Sequence, residues 1–404
     1  MDSEAAGPRV FVSAGEVSGD RILGEILRPL RDKFPGLELR GLGGPAAEAC
    51  GLRPLFPLSA TAFNGAWDVL RNALFAVRMY RRAVRELRRF RPHLVLLVDY
   101  PGLNLRLARK ARTLGARVCF VAPPQVWAYR RPARKLERAN AALRGCHVHV
   151  LFPFEKEAFA AAAARVTVGH FFSAVPFSAP VPAGPADPSG NGLLLLCPGS
   201  RLSVLRRNLG AWLDTLDRAG RLAGPDAVAV LVPGHLAAAA AELLATHARG
   251  RHAGRARIRT DKPAALAEAR RAIAFPGTIT LELALQRVPT LVLAIVDPLT
   301  LALGRRALGN SSLALPNLLA GEALFPEWAG KAPGPEPERY LELERARDHA
   351  PPGRAGLEKL AARLGPAVGA QAAGDACASI LRASGAMGNM PDTSQKAPET
   401  VKSG

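Results

Sequence analysis

Short apolar runs alternate with longer stretches of helical period along most of the chain. Residues 10–12 form an apolar run that stops at Ser13-Ala14-Gly15, and Ser18-Gly19-Asp20 opens a helical pattern ending near Phe34-Pro35. This is a strand, a glycine loop and a helix. The unit recurs: β-type runs at 93–98 and 117–121 are followed by helical stretches from Leu105 and from about Arg130, and 146–152 makes a fourth run. Continuous apolar strands separated by helices predict a parallel sheet covered on both faces.

Residues 176–191, PFSAPVPAGPADPSGN, are too rich in Pro, Gly and Ser to continue either element and read as an interdomain linker. A second alternation follows, with strands at 193–197, 228–232, 272–275 and 290–295 and helices at 205–222, 236–248 and 280–286. From about Glu336 the pattern is helical, and 385–404 reads as a polar, disordered tail. The expected organisation is α/β, with doubly wound domains at 1–175 and 192–367.

Composition changes this picture at three points. The 404 residues carry 54 Lys plus Arg against 34 Asp plus Glu, a formal charge of +20, and only nine of the cations are Lys. Residues 1–175 hold 28 cations and 14 anions, so an anionic partner, if there is one, meets the first half; a merely solubilising surface is the plain alternative. Five dispersed cysteines, several inside apolar runs, lack the spacing of zinc sites or redox dithiols and read as buried, reduced residues of a cytosolic protein. The acidic start MDSEAAGPRV is unlike a signal peptide, and the longest apolar stretch, 288–304, is broken by Pro289, Asp297 and Pro298. A membrane, if involved, is met at its surface.

Ligands of open parallel sheets bind at the carboxyl ends of strands, which selects four loops. In Ser13-Ala14-Gly15-Glu16-Val17-Ser18-Gly19-Asp20, the glycines let a ligand approach the backbone, and Glu16 and Asp20 could accept protons or sugar hydroxyls; a plain cap by Ser18 or Asp20 is the alternative. Asp99, placed directly after a strand, suits a general base for a hydroxyl, unless Asp-Tyr-Pro-Gly is only a turn. Pro198-Gly199-Ser200-Arg201 offers backbone N–H groups and a guanidinium to a diphosphate, with a plain strand-to-helix turn carrying an exposed arginine as the alternative. Gly277, Thr278 and Glu282 repeat the arrangement at another helix start, with Glu282 suited to a ribose diol or simply to the helix dipole. The stretch 64–91 sets Trp67, Leu70, Leu74 and Phe75 beside Arg78 and Arg81, a pattern of basic helices on anionic membranes and equally of a surface helix packed on a sheet. No metal-ligand spacing, Walker loop or nucleic-acid motif occurs, and His147 and His149 alternate along a strand as structural residues do.

Taken in order, SAGEVSGD (13–20), GLGG (41–44), RPHLVLLVDYPGLN (91–104), PPQVWAY (123–129), LFPFEKEAF (151–159), VGH (168–170), PGSR (198–201), GTITLE (277–282) and LPNLLAG (315–321) resemble the lipid-A-disaccharide synthase family. The resemblance implies an inverting, metal-independent glycosyltransferase of GT-B fold that needs no cofactor. Its reaction joins UDP-2,3-diacylglucosamine to 2,3-diacylglucosamine 1-phosphate through a β-1,6 bond and releases UDP. It further implies Asp99 as base with Glu16 as rival, Gly15, Ser18, Asp20 and Asn104 on the acceptor side, and Ser200, Arg201, Gly277, Thr278, Glu282 and Asn317 on UDP. A helix at about 368–383 would cross back to the first domain, a homodimer would exchange that segment, and the enzyme would sit at the cytoplasmic face of an inner membrane. The chain departs from the family pattern at Gly102, Ala174, Val204, Pro276 and Ala294. Two other readings stand beside it: another GT-B enzyme, such as a sugar-nucleotide epimerase or a transferase for a different acylated amino sugar, and a non-catalytic binder of nucleotide sugars or membrane.

Overall fold

Five-residue runs such as Leu94–Val98, LVLLV with every residue buried, are apolar on both faces and so need covering layers on both sides. The computed structural model describes residues 7–56, 73–125, 132–172, 192–222, 227–247, 256–308, 312–349 and 353–384. Among them, β1 (Arg9–Ala14), β2 (Glu38–Leu42), β3 (Arg53–Pro54), β4 (Leu94–Val98), β5 (Arg117–Val121), β6 (His147–Val150) and β7 (Arg165–Val168) form one sheet in the order β3-β2-β1-β4-β5-β6-β7. A second sheet contains β8 (Leu193–Cys197), β9 (Ala227–Leu231), β10 (Ala256–Arg259), β11 (Ala269–Ala274), β12 (Thr290–Ile295) and β13 (Glu327–Gly330), in the order β10-β9-β8-β11-β12-β13. Every pairing in both is parallel.

The strand order reverses between β1 and β4 in the first sheet and between β8 and β11 in the second. Such switch points open a crevice at the carboxyl ends, where flanking loops turn away from each other. The loop after β1, the loop after β4, PGSR after β8 and PGTIT after β11 all fall on these two points.

Several expectations shift. The sequence pattern missed β2, β3, β7, β10 and β13, short segments whose sequences ELRGL, RP, RVTV, ARIR and EWAG are polar or broken by glycine or proline. The helix after β4 begins at Pro101, not Leu105, because proline suits the first turn. The linker 176–191, the tail 385–404 and Ala174 lie outside the described residues. All five cysteines are buried and free. His147 Nε2 and His149 Nδ1 share the Thr167 hydroxyl at 3.0 and 2.9 Å, and burial pushes both imidazoles down to about 4.

The helix Gly369–Ala383 lies on the helix Val17–Lys33 of the first domain and buries Ala373, Cys377, Ala378 and Leu381 there. Lys33 Nζ meets Asp375 at 2.7 Å, and Arg117 donates to the Ala383 carbonyl at 3.3 Å. Gly169 and Gly369 let the backbones touch, since a Cβ on either would stand within 3 Å of the other chain segment.

Candidate active site

The loop after β1 is shaped by what it packs against. A Cβ on Gly15 would lie 2.4 Å from the Tyr100 ring, so only glycine lets the aromatic lie on the backbone at this point. The helix Val17–Lys33 takes Glu16 as its N-cap, in extended conformation and with no side-chain cap bond. Its carboxylate is free to reach across the crevice, where it pairs with Arg201. Ser18 lies half-buried in the first turn. Neither Ser18 nor Asp20 is the cap.

Asp20 is turned inward instead. Its carboxylate accepts N–H bonds from Gly44 at 2.7 Å, Ala46 at 2.9 Å and Ala47 at 3.2 Å, tying the first motif to GLGG. The expected acceptor ligand is therefore a brace, because three backbone donors occupy a carboxylate that is 3% exposed.

Asp99 and Tyr100 both have positive φ, 50° and 51°, a conformation non-glycine residues seldom adopt and one that clusters at functional sites. Asn104 holds them there. Its amide donates to the Asp99 carbonyl at 2.7 Å, the Val98 carbonyl at 3.1 Å and the Ser13 carbonyl at 3.2 Å, while its oxygen accepts the Ser13 hydroxyl at 2.7 Å. Fully buried, Asn104 has no face for substrate and positions Asp99. Burial, and next the negative charge of Glu16, push the Asp99 carboxyl up to about 6, against lowering by the Tyr100 backbone and Arg201. A carboxylate tuned close to neutrality is matched to general-base work.

Arg201 caps the helix Leu202–Arg218 after Gly199, whose φ of 110° requires glycine. Ser200 is exposed beside it. Val204 is buried, and a Cβ on Gly199 would lie 2.9 Å from it, so it fills the space under the loop. After the neighbouring strand of the same sheet, Gly277 and Thr278 are exposed at the start of the helix Thr278–Leu285, with Gly277 in extended conformation and Pro276 half-buried before it. Glu282, one turn in, is 7% exposed and receives Lys262 Nζ at 2.9 and 2.6 Å, with Arg21 of the first domain at 3.5 Å. Lys262 carried no sequence signal, since it lies far from any motif and meets Glu282 only through the β10 and β11 loops.

The sequence pattern described as lipid-A-disaccharide synthetase matches residues 10–349. The chain belongs to this family. It is 32% identical to lipid-A-disaccharide synthase of Nitrosococcus oceani over 85% of this chain and 89% of that one. It is 31% identical to that of Alkalilimnicola ehrlichii over 94% and 100%. Among solved structures it is similar to MurG of Acinetobacter baumannii, with a TM-score of 0.52, 14% identity and coverage of 92% and 99%. It is also similar to a putative UDP-N-acetylglucosamine 2-epimerase of Listeria monocytogenes, with a TM-score of 0.53, 12% identity and coverage of 91% and 94%. These two likenesses show the fold, two Rossmann-like domains facing a crevice, which is the GT-B architecture.

Besides Asp20 and Asn104, a third motif residue does structural work in this synthase-family chain. Asn317, expected on UDP, is 4% exposed and spends its whole amide internally. Nδ2 donates to the Phe325 carbonyl at 2.8 Å and to Glu327 at 2.7 Å, and Oδ1 accepts from Leu324 and Phe325, both at 2.9 Å. It fixes the turn into β13. Phe75, expected on a membrane, is half-buried and meets Phe56 edge-on at 5.5 Å. Arg78 and Arg81 are exposed on the helix Ala73–Phe90, Gly102 faces open space, and Ala294 is buried in β12. Trp67 and Leu70 lie outside the described residues, as does the side chain of Leu74. No helix among the described residues is long and apolar enough to cross a membrane, and no group of potential metal ligands occurs among them.

Proposed function

We propose that the chain transfers a 2,3-diacylglucosamine unit from UDP to the 6-hydroxyl of 2,3-diacylglucosamine 1-phosphate. The observation that carries this reading is the crevice arrangement of Asp99, tuned to about 6, with Glu16 and Arg201 meeting beside it from the two domains. The acceptor hydroxyl loses its proton to Asp99 as its oxygen attacks C1 of the donor sugar. The C1–O bond breaks, UDP leaves with the electron pair, and the anomeric centre inverts. Arg201, Ser200, Gly277 and Thr278 form the diphosphate end, where donors offset charge developing on the leaving group. Glu282 takes the ribose diol. Glu16 and the Gly15–Ser18 turn serve the acceptor sugar. The step as written uses no metal and no cofactor, because the UDP-sugar is itself a substrate.

The substrates carry acyl chains, and the exposed arginines of the helix Ala73–Phe90 support a peripheral position on the anionic cytoplasmic face of an inner membrane. The contacts of Gly369–Ala383 with the first domain are the ones a homodimer exchanging this segment would reuse.

Purified protein incubated in detergent with both acylated substrates should yield disaccharide 1-phosphate and UDP by mass spectrometry, with Asp99→Asn inactive. Epimerisation of soluble UDP-N-acetylglucosamine without lipid would replace this reading with the epimerase one, and UDP binding without turnover would leave a binder.

A further inference from the structure

The crevice lies at the carboxyl ends of the strands; the opposite end of the first sheet carries a second concentration of charge. Arg9 opens β1 and is paired in register with Glu38, the first residue of β2. Arg40 follows two residues later on β2, and the helix Ala73–Phe90 ends beside them with Arg88 and Arg89, followed by Arg91. These residues and Phe90 line an open cavity of about 680 Å³. Five arginines from three segments line it, with Glu38 as the one acidic lining residue.

The arrangement is braced from within. Arg9 donates through Nε and Nη2 to the Arg91 carbonyl at 3.3 and 3.2 Å, satisfying a carbonyl beyond the helix end. Arg40 lies over the Phe90 ring at 5.0 Å and bonds Glu86 at 2.8 Å. Arg91 has φ of 45°, a position that glycine normally fills after a helix, so the turn carries an arginine where a side chain costs conformational energy. Arg88, Arg89 and Arg91 are exposed and, among the described residues, meet no carboxylate. Like charges gathered at one concavity repel, and an oxyanion that accepts several forked guanidinium bonds at once relieves that repulsion.

We propose that this cavity is a binding site for a phosphate group, separate from the diphosphate end of the crevice. The five residue steps of β1, at about 3.3 Å each, set the cavity roughly 17 Å from the carboxyl end of the first sheet, and the diphosphate end lies beyond that, on the loops after β8 and β11 of the second sheet, so one phosphate cannot bridge them. Arg88 and Arg89 are the adaptable ligands, while Arg9 and Arg40 are held in place. The phosphate can belong to an anionic lipid headgroup, reached by the arginine face of the same helix, or to a soluble phosphate compound. The chemistry of recognition is the same for both.

The test is calorimetric titration of inorganic phosphate into full-length Arg201→Ala protein, in which the crevice arginine is gone. Saturable one-to-one binding is expected at low salt, weakened tenfold or more by the added pair Arg88→Gln and Arg89→Gln and kept by Arg165→Gln, an exposed arginine elsewhere. Unchanged melting of the double variant checks that it folds. Absence of saturable binding, indifference to the Arg88 and Arg89 changes, or an equal loss in Arg165→Gln overturns the proposal. Flotation with phosphatidylglycerol vesicles then separates the sources. Flotation that phosphate competes away and that the double variant loses marks a headgroup site; flotation indifferent to both, with phosphate still bound, marks a soluble ligand.

Discussion

Replacing Asp99 by Asn removes the proposed base and should also make the first domain harder to unfold at alkaline pH. In the folded protein burial and Glu16 raise this carboxyl from 3.8 to about 6, so the fold favours its protonated form. Between those values the native state binds more protons than the unfolded chain, and stability therefore falls as pH rises through the window. At about 1.4 kcal/mol per unit, the full rise would cost roughly 3 kcal/mol above pH 7; partial exposure of the side chain reduces this to about 1–2 kcal/mol. Asn carries no charge to desolvate and tolerates the positive φ at this position. Urea unfolding of both proteins, followed by tryptophan fluorescence from pH 4 to 8, should give near-equal midpoints at pH 4, divergence up to about 6, and a constant advantage for Asp99→Asn beyond. Equal midpoints at pH 8, or a more stable wild type there, would refute the claim that Asp99 is held in an environment hostile to its charge.

The two halves of the crevice ion pair should act on Asp99 with opposite sign. Glu16→Gln removes a charge that raises the Asp99 carboxyl and should move the acid limb of kcat/KM to lower pH, whereas Arg201→Ala should move it higher and weaken UDP binding about tenfold or more by calorimetry. Gly15→Ala should drive the Tyr100 ring from its place, lowering kcat by an order of magnitude or more with little loss of melting temperature, since one crevice side chain moves while the sheet stays. Asp20→Ala should cost about 2–3 kcal/mol in chemical unfolding, because three N–H groups of the 44–47 turn lose a charged acceptor.

Both sheets were legible because their central strands are apolar on both faces. Leu94–Val98, Leu193–Cys197 and Thr290–Ile295 are as continuous in hydrophobicity as they are buried, while ARIR and EWAG become strands through pairing partners distant in sequence. The loops of the crevice were legible by the same logic, since a strand followed by glycine and a polar residue marks a carboxyl end wherever it falls. What each polar side chain does there was not. Asp20, Asn104 and Asn317 occupy motif positions as strongly marked as Glu16 and Arg201, yet all three turn inward to hold backbone, and only the fold determines which way a side chain faces. Lys262 and the arginine cavity escaped notice for a related reason, their members coming together from segments 20 to 80 residues apart.

The helix Gly369–Ala383 packs on the helix Val17–Lys33 of the first domain near Ile26 and Pro29, yet it is the last helix described in the chain. During synthesis the first sheet emerges early but keeps an open apolar flank until the whole second domain has been made and its final helix has travelled back. The two domains thus cannot mature as independent beads. A nascent chain halted anywhere within the second domain presents that flank to chaperones, and closing it is the step that makes completion of one domain depend on completion of the other.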